Sequence, residues 1–131
     1  MLKQTVMLFL TILVGLTSGQ GSQIPWKTSL TEALKVAAAE KKPILIAFNM
    51  DRERANDRMA EDHYRDAAVV AAASKYVCLI ASKFRHAEAL DDTCPRFGSV
   101  TCTDHIKCEM EARKTYLKTV NVDSPQHLNF V

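Results

Sequence analysis

Residues 41–48 read KKPILIAF, and this stretch decides the fold class because it joins the end of a helix to a buried strand. Pro43 cannot continue a helix, and the two lysines before it suit the negative end of the helix dipole. The five apolar residues that follow are rich in β-branched and aromatic side chains. They favour a strand that is buried on both faces, as in a parallel or mixed sheet.

The helix that ends at this proline has a start signal of its own. Ser29 and Glu32 fit a capping box, in which each side chain accepts a hydrogen bond from a backbone amide at the helix start. Leu30 begins a series of apolar residues at helical spacing. We therefore predict a helix over residues 29–41 and a strand over residues 44–48.

The rest of the chain alternates helical and strand patterns. The predicted elements, in chain order, are a helix beginning within residues 51–64, a helix at 67–74 capped by Asp66, a strand at 76–82, a loop at 84–95, a helix capped by Thr103 or Asp104 that runs to about residue 117, and a strand at 126–131. Helices and strands that alternate in this way predict an α/β fold with crossover connections.

The amino terminus has the pattern of a signal peptide. Lys3 supplies a positive charge, and residues 6–16 (VMLFLTILVGL) form an apolar run of the usual signal-peptide length, about 7–15 residues. A transmembrane helix needs about 20. We expect cleavage after Gly19 or Gly21 and export to the periplasm or the medium, leaving one domain at 22–131 with no membrane span. An uncleaved membrane anchor is the alternative.

The charge of the chain argues against two classes of partner. The formal net charge is +2, and the basic residues are interleaved with acidic ones. Nucleic acids and anionic membranes attract clustered cations. We therefore expect neither as a partner.

Residues 26–48 resemble the exported bacterial thioredoxin-like domains. In that family a tryptophan precedes an alanine-rich helix, a lysine–proline pair and the first core strand, as Trp26 and Pro43 do around the predicted helix here. Ser124 and Pro125, followed by a strand, look like the family's cis-proline segment. The resemblance covers about residues 26–131, and it implies a thioredoxin-like fold with a mixed central sheet flanked by helices.

The resemblance also locates a vacant redox site. The family carries a Cys-x-x-Cys just after the first core strand, at a helix start that lowers the pKa of the first thiol. The aligned positions here are Glu53 and Asn56, and no cysteine precedes Cys78. Glutamate and asparagine cannot exchange disulfides, so we expect no oxidoreductase activity at this position. The groove beside Pro125 remains available for an extended peptide.

The chain ends early by comparison with the family, which continues past the cis-proline strand through a further strand and a closing helix. We therefore expect a domain that is truncated after its third core strand. The strand at 126–131 would then have an unpaired edge, and unpaired edges pair with other chains. Self-association through this edge is the expected consequence.

Four cysteines in an exported protein suggest a disulfide. Cys94 and Cys102 bracket a seven-residue turn with Pro95 and Gly98, so we predict that they are linked. Cys78 is expected to be a buried free thiol, and Cys108 an odd thiol. A metal site is the less favoured alternative, with Cys94, Cys102, His105 and Cys108 as ligands, because residues 102, 105 and 108 recur at steps of three and would line one helix stripe.

Two functions follow from these patterns. The first is a non-catalytic binding or accessory module with no cofactor and a protein or peptide partner. The second is a thiol–disulfide redox or metal-binding function of the Cys94, Cys102, His105 and Cys108 group. A decayed relative without activity is a third possibility. His86, in the predicted loop, and His127, after Pro125, have no assigned role.

Overall fold

The computed structural model describes residues 24–117 and the backbone of residues 129–130. It has an α/β fold, as the sequence predicts. The elements are α1 (Leu30–Glu40), β1 (Ile44–Phe48), α2 (Arg54–Glu61), a 3-10 turn (His63–Arg65), α3 (Ala67–Ala73), β2 (Val77–Ala81), α4 (Cys102–Ala112), a π-helical turn (Arg113–Leu117) and β3 (Asn129–Phe130). None of the helices in this described part of the chain is long and apolar enough to cross a membrane.

Helix α1 begins and ends at the predicted signals, with one change in its hydrogen bonds. The Ser29 side chain accepts from the amide of Glu32, as expected. The Glu32 carboxylate, however, accepts from the amide and hydroxyl of Thr28 at 2.9 and 2.8 Å, one residue before the predicted partner. Lys41 closes the helix in the left-handed region, at φ 54°.

The sheet is built around β1. β2 runs parallel to β1, with Ile44 opposite Val77 and Phe48 opposite Ala81. β3 runs antiparallel along the other edge of β1 and gives the order β2-β1-β3. All of β2 and all of β1 except its first residue are buried, which confirms the prediction of a strand that is covered on both faces.

The two faces of the sheet are covered by different elements, and this separation divides the cysteines. α1 and α4 cover the face that carries Ile46 and Leu79, and Cys108 belongs to that core. α2, α3 and the loop at 83–101 cover the face that carries Leu45 and Ile80. Cys94 and Cys102 belong to this second core. The α4 helix therefore places Cys102 and Cys108 on opposite sides of the sheet.

Several predicted boundaries differ from the structure. The N-cap of α4 is Thr101, two or three residues before the predicted caps Thr103 and Asp104, and it forms a capping box with Asp104. Asp104 therefore lies inside the first turn of α4. The loop predicted at 84–95 runs on to residue 101. The signal peptide at 1–21, Pro125, His127 and residues 126–128 and 131 of the predicted final strand lie outside the described residues.

Candidate metal centre

Four side chains converge beneath the 83–101 loop, and we call them the Cys2His2 cluster: His86, Cys94, Cys102 and His105. Their ligand atoms all lie within 4.8 Å of one another. Cys94, Cys102 and His105 are fully buried, and the side chain of His86 is 10% exposed. No other group of three or more His, Cys, Asp or Glu side chains with this geometry occurs among the described residues.

The two cysteines are brought together by a short antiparallel contact in the loop. Thr93 and Thr101 form a β-bridge, and the Cys94 amide donates to the carbonyl of Val100 at 2.8 Å. Successive side chains along a strand point to opposite faces. Cys94 and Cys102 each follow one of the two bridged residues, so their side chains lie on the same face, opposite to that of Thr93 and Thr101. The turn between them needs a residue with positive φ, and Gly98 supplies it at φ 83°.

His105 reaches the cluster from the first turn of α4. It follows Cys102 by three residues, and such residues are neighbours on a helix surface. Its Nδ1 lies 2.8 Å from the carbonyl oxygen of Ser82, at the end of β2. A carbonyl oxygen can only accept, so Nδ1 carries the hydrogen and Nε2 presents a lone pair. That Nε2 is buried and has no hydrogen-bond partner among the described residues.

His86 reaches the cluster from the loop, and Asp51 holds its ring. The Nε2 atom lies 3.0 Å from each carboxylate oxygen of Asp51. A carboxylate accepts, so Nε2 carries a hydrogen and Nδ1 presents its lone pair, 3.5 Å from Sγ of Cys94. The backbone amide of His86 donates to Sγ of Cys102 at 3.3 Å.

Phe97 packs against both imidazoles and fixes their orientation. Its ring centroid lies 5.2 Å from that of His86 and 5.1 Å from that of His105, with an edge-to-face geometry in both cases. Phe97 is fully buried. It therefore also separates the cluster from water on that side.

Arg96 ties the loop to the start of α2. Its guanidinium donates to Oδ1 of Asp57 at 2.7 Å and to Oδ1 of Asn49 at 3.2 and 3.3 Å, and it lies 3.7 Å from Asp51. The Asn49 amide donates in turn to the carbonyl of Asn56. The loop, the end of β1 and the first turn of α2 are thus connected by one polar network.

Glu53 and Asn56, which the family resemblance aligns with redox cysteines, form a helix cap in this network. Glu53 is the N-cap of α2, and its carboxylate accepts from the amide of Asn56 at 2.9 Å and from the Asn56 side chain at 2.8 Å. Both side chains are engaged with each other at the helix start, where anionic groups are favourable. Glu53 and Asn56 therefore have a structural role in the described part of the chain.

A Cys2His2 group of this kind fits a tetrahedral zinc ion. Zinc bonds of about 2.3 Å to sulfur and about 2.0–2.1 Å to nitrogen place tetrahedral ligand atoms about 3.3–3.8 Å apart, so small inward movements complete the site. The second ring nitrogen of each histidine is held by a carboxylate or a carbonyl, which is the usual outer arrangement of metal-bound histidine. Four protein ligands make a closed site, which is typical of structural zinc.

Nucleophilic catalysis by Cys94 is not supported. Cys94, His86 and Asp51 lie in the order of a nucleophile, a base and an orienting carboxylate. Cys94 is, however, fully buried, and burial raises the pKa of its thiol to about 11. A buried thiol that stays protonated at neutral pH is a poor nucleophile, so without a metal the arrangement suits a ligand better than a catalytic nucleophile.

The structure corrects the predicted ligand set in two places. Cys108 lies outside the cluster, and its Sγ is 3.6 Å from the carbonyl of Thr28 on the other face of the sheet. Three residues turn an α-helix through about 300°, which leaves each third residue about 60° away from the one before it around the helix axis. Residues 102 and 108 are therefore about 120° apart and cannot lie on one stripe. His86 takes the fourth position, and no local motif marks it because Asp51 is 35 residues away.

The predicted disulfide is not formed in this structure, in which all four cysteines have free thiols. Cys94 and Cys102 are nevertheless neighbours, as predicted, and Cys78 is buried, as predicted. The Cys78 Sγ contacts the carbonyl of Ala73 at 3.5 Å. The pair of Cys94 and Cys102 thus remains the one that can be oxidised locally.

No protein-family model, no curated protein and no solved structure matches this chain.

Proposed function

We propose that this chain is an exported, non-catalytic thioredoxin-like module in which a zinc ion, bound by the Cys2His2 cluster, holds the 83–101 loop. The observation that carries the metal site is the orientation of the two histidines. Nε2 of His86 and Nδ1 of His105 are both held by acceptors, the Asp51 carboxylate and the Ser82 carbonyl. The remaining nitrogen of each ring is thus directed as a lone pair into a buried space that it shares with two sulfur atoms.

The buried nitrogen of His105 gives a physical reason for a metal ion to bind in the cluster. Without it, the cluster buries an imidazole nitrogen that has no hydrogen-bond partner among the described residues, at a typical cost of about 1–3 kcal/mol. Burial also lowers the pKa of His105, which keeps its imidazole neutral and able to bind a metal. The sequence alone favours a disulfide over a metal, and the geometry of the two histidines favours the opposite order.

The thioredoxin-like part of the proposal rests on the order of the elements. A parallel pair of strands, with an antiparallel strand on the other edge of the first one, fits the mixed sheet that the family resemblance implies. α2 begins just after β1, with Glu53 and Asn56 at its start, where the family carries its redox cysteines. The proposed role is binding of an extended peptide or protein segment beside Pro125, after export through the leader at 1–21.

Metal analysis of the purified full chain tests this function. We expect one zinc ion per chain by inductively coupled plasma mass spectrometry, and loss of zinc in both Cys94→Ser and His105→Ala. Cys108→Ala is the matched control, because it removes a buried thiol on the other face of the sheet and should keep the metal. The proposal would be contradicted if the wild-type protein remained metal-free after zinc had been supplied. Retention of zinc in Cys94→Ser would contradict it as well.

A further inference from the structure

The Cys2His2 cluster contains two sulfur atoms that could also bond to each other. Cys94 and Cys102 lie on the same face of the Thr93–Thr101 bridge, and their sulfur atoms are among the four ligand atoms that lie within 4.8 Å of one another. The chain between them is seven residues long and is already closed by the bridge. A disulfide between them would therefore close a loop that the fold has already formed.

The other two cysteines cannot substitute for either member of this pair. Cys108 is on the opposite face of the sheet, in the core formed by α1 and α4. Cys78 lies in β2, with its Sγ against the carbonyl of Ala73 at the end of α3. Burial raises the pKa of both thiols, to about 12 for Cys108 and about 11 for Cys78. Both are protonated at neutral pH and react slowly with oxidants.

Access to the cluster limits which oxidant can act. Cys94 and Cys102 have no exposed surface, Phe97 covers one side, and His86 is the ligand that solvent touches, at 10% exposure of its side chain. An oxidant of about the size of water, such as hydrogen peroxide, therefore needs the smallest opening of the loop to reach the sulfur atoms. A glutathione disulfide cannot enter without opening the loop.

We propose that hydrogen peroxide converts the zinc-bound Cys94 and Cys102 thiolates into a disulfide and thereby releases the zinc, so that the cluster is a redox-controlled metal site. This inference rests on the proposed zinc function. Zinc keeps both sulfur atoms as thiolates, the reactive form. Loss of the two thiolates leaves only His86 and His105 as ligands, and two imidazoles hold zinc far more weakly than the full set.

The reaction balances with peroxide as the only co-reactant. One thiolate attacks a peroxide oxygen, the O–O bond breaks, and the products are a sulfenic acid and hydroxide. The second thiolate attacks the sulfenic sulfur, forms the S–S bond and expels a second hydroxide. Two protons from solvent convert both hydroxides to water. Peroxide thus gains the two electrons that the sulfur atoms lose, and Zn²⁺ leaves unchanged. A dithiol reductant followed by zinc reverses the change.

The test treats the zinc-loaded full chain with hydrogen peroxide and follows zinc with a chromophoric chelator, 4-(2-pyridylazo)resorcinol. We expect one zinc released for every two thiols lost, a mass decrease of about 2 Da, and a peptide map that links Cys94 to Cys102. Oxidised glutathione at the same concentration should act at least about tenfold more slowly. Dithiothreitol and zinc should restore both thiols and metal.

A control variant with Cys78→Ala and Cys108→Ala should release zinc at the wild-type rate, because neither residue takes part. If these changes prevent folding, the peptide map of the wild-type protein decides the same question. A disulfide that includes Cys78 or Cys108, zinc release with all thiols intact, or retention of zinc after both thiols are lost would overturn the switch and leave the zinc site standing. Absence of zinc from the untreated protein would instead refute the proposed function, and the switch with it.

Discussion

The Nε2 atom of His86 lies 3.0 Å from both carboxylate oxygens of Asp51. These two residues are 35 positions apart, one just after β1 and the other in the 83–101 loop. The contact fixes the position of the ring hydrogen and directs Nδ1 towards Cys94. A carboxylate in this place is the usual outer partner of a metal-bound histidine and strengthens the other ring nitrogen as a metal ligand.

Changing Asp51 to asparagine should weaken zinc binding without removing a ligand. The amide oxygen can still accept from the His86 ring, but the negative charge is lost. We expect the zinc affinity to fall by about 10–100-fold, as measured by competition with a chromophoric chelator.

Asp57→Asn is the matched control for this change. This change also removes a carboxylate beside Arg96, but among the described residues Asp57 makes no hydrogen bond to either histidine of the cluster. Its zinc affinity should stay within about threefold of the wild type, since only residues that hold the ligands themselves produce the larger loss. Equal losses in the two variants would show that Asp51 acts through folding and not through His86.

Removal of the metal should lower the thermal stability of the whole domain. The proposed zinc ion would link the loop to α4 through Cys94 and Cys102, and a ligand that binds only the folded state stabilises that state. We expect a strong chelator to lower the melting temperature by more than about 10 °C, because each kcal/mol shifts it by about 4–8 °C in a domain of this size. Circular dichroism measures the shift, and Cys94→Ser, which lacks the site, should show almost none. A wild-type melting temperature that the chelator leaves unchanged would rule out a structural metal.

Alkaline pH should destabilise the metal-free protein through Cys108. Burial, with the nearby Glu111 and Asp104 carboxylates, raises the pKa of this thiol from about 9 to about 12. The folded protein holds the thiol proton more tightly than the unfolded chain, so this contribution to stability is complete below the pKa of the unfolded thiol, about 9. It is lost as the pH rises from about 9 towards 12. Urea titrations of the reduced protein in chelator, between about pH 8.5 and about pH 10.5, should show a shallower decline for Cys108→Ala than for the wild type. Parallel declines would indicate that the thiol is not protected in the folded state.

The chain should not accelerate the reduction of insulin by dithiothreitol. Glu53 and Asn56 stand at the start of α2 and form its cap, so no thiol is available there. Restoring cysteines with Glu53→Cys and Asn56→Cys should produce a disulfide at this helix start and a measurable acceleration. The turbidity of precipitating insulin gives both rates. Wild-type turnover that survives Cys94→Ser and Cys102→Ser would contradict the alignment with the thioredoxin-like family.

The local sequence was sufficient to predict α1 and both strands of the parallel pair. Ser29 caps α1, Pro43 follows its end, and the apolar runs predicted as strands at 44–48 and 76–82 form β1 (Ile44–Phe48) and β2 (Val77–Ala81). Each of these signals involves residues within a few positions of one another. The interactions that decide them, capping, proline geometry and burial of a continuous apolar run, act over that same distance.

The membership of the Cys2His2 cluster was decided only by the tertiary structure. The spacing of residues 102, 105 and 108 suggested one stripe of a helix. Because of the rotation along α4, however, Cys108 packs in the core on the other face of the sheet from Cys102. His86 joins the cluster because the loop folds back over the sheet and Asp51 holds its ring. The sequence by itself determined which elements form, since their signals are local. Only the packing of those elements decided which distant side chains meet, because these contacts depend on how the sheet, α4 and the loop are arranged in space.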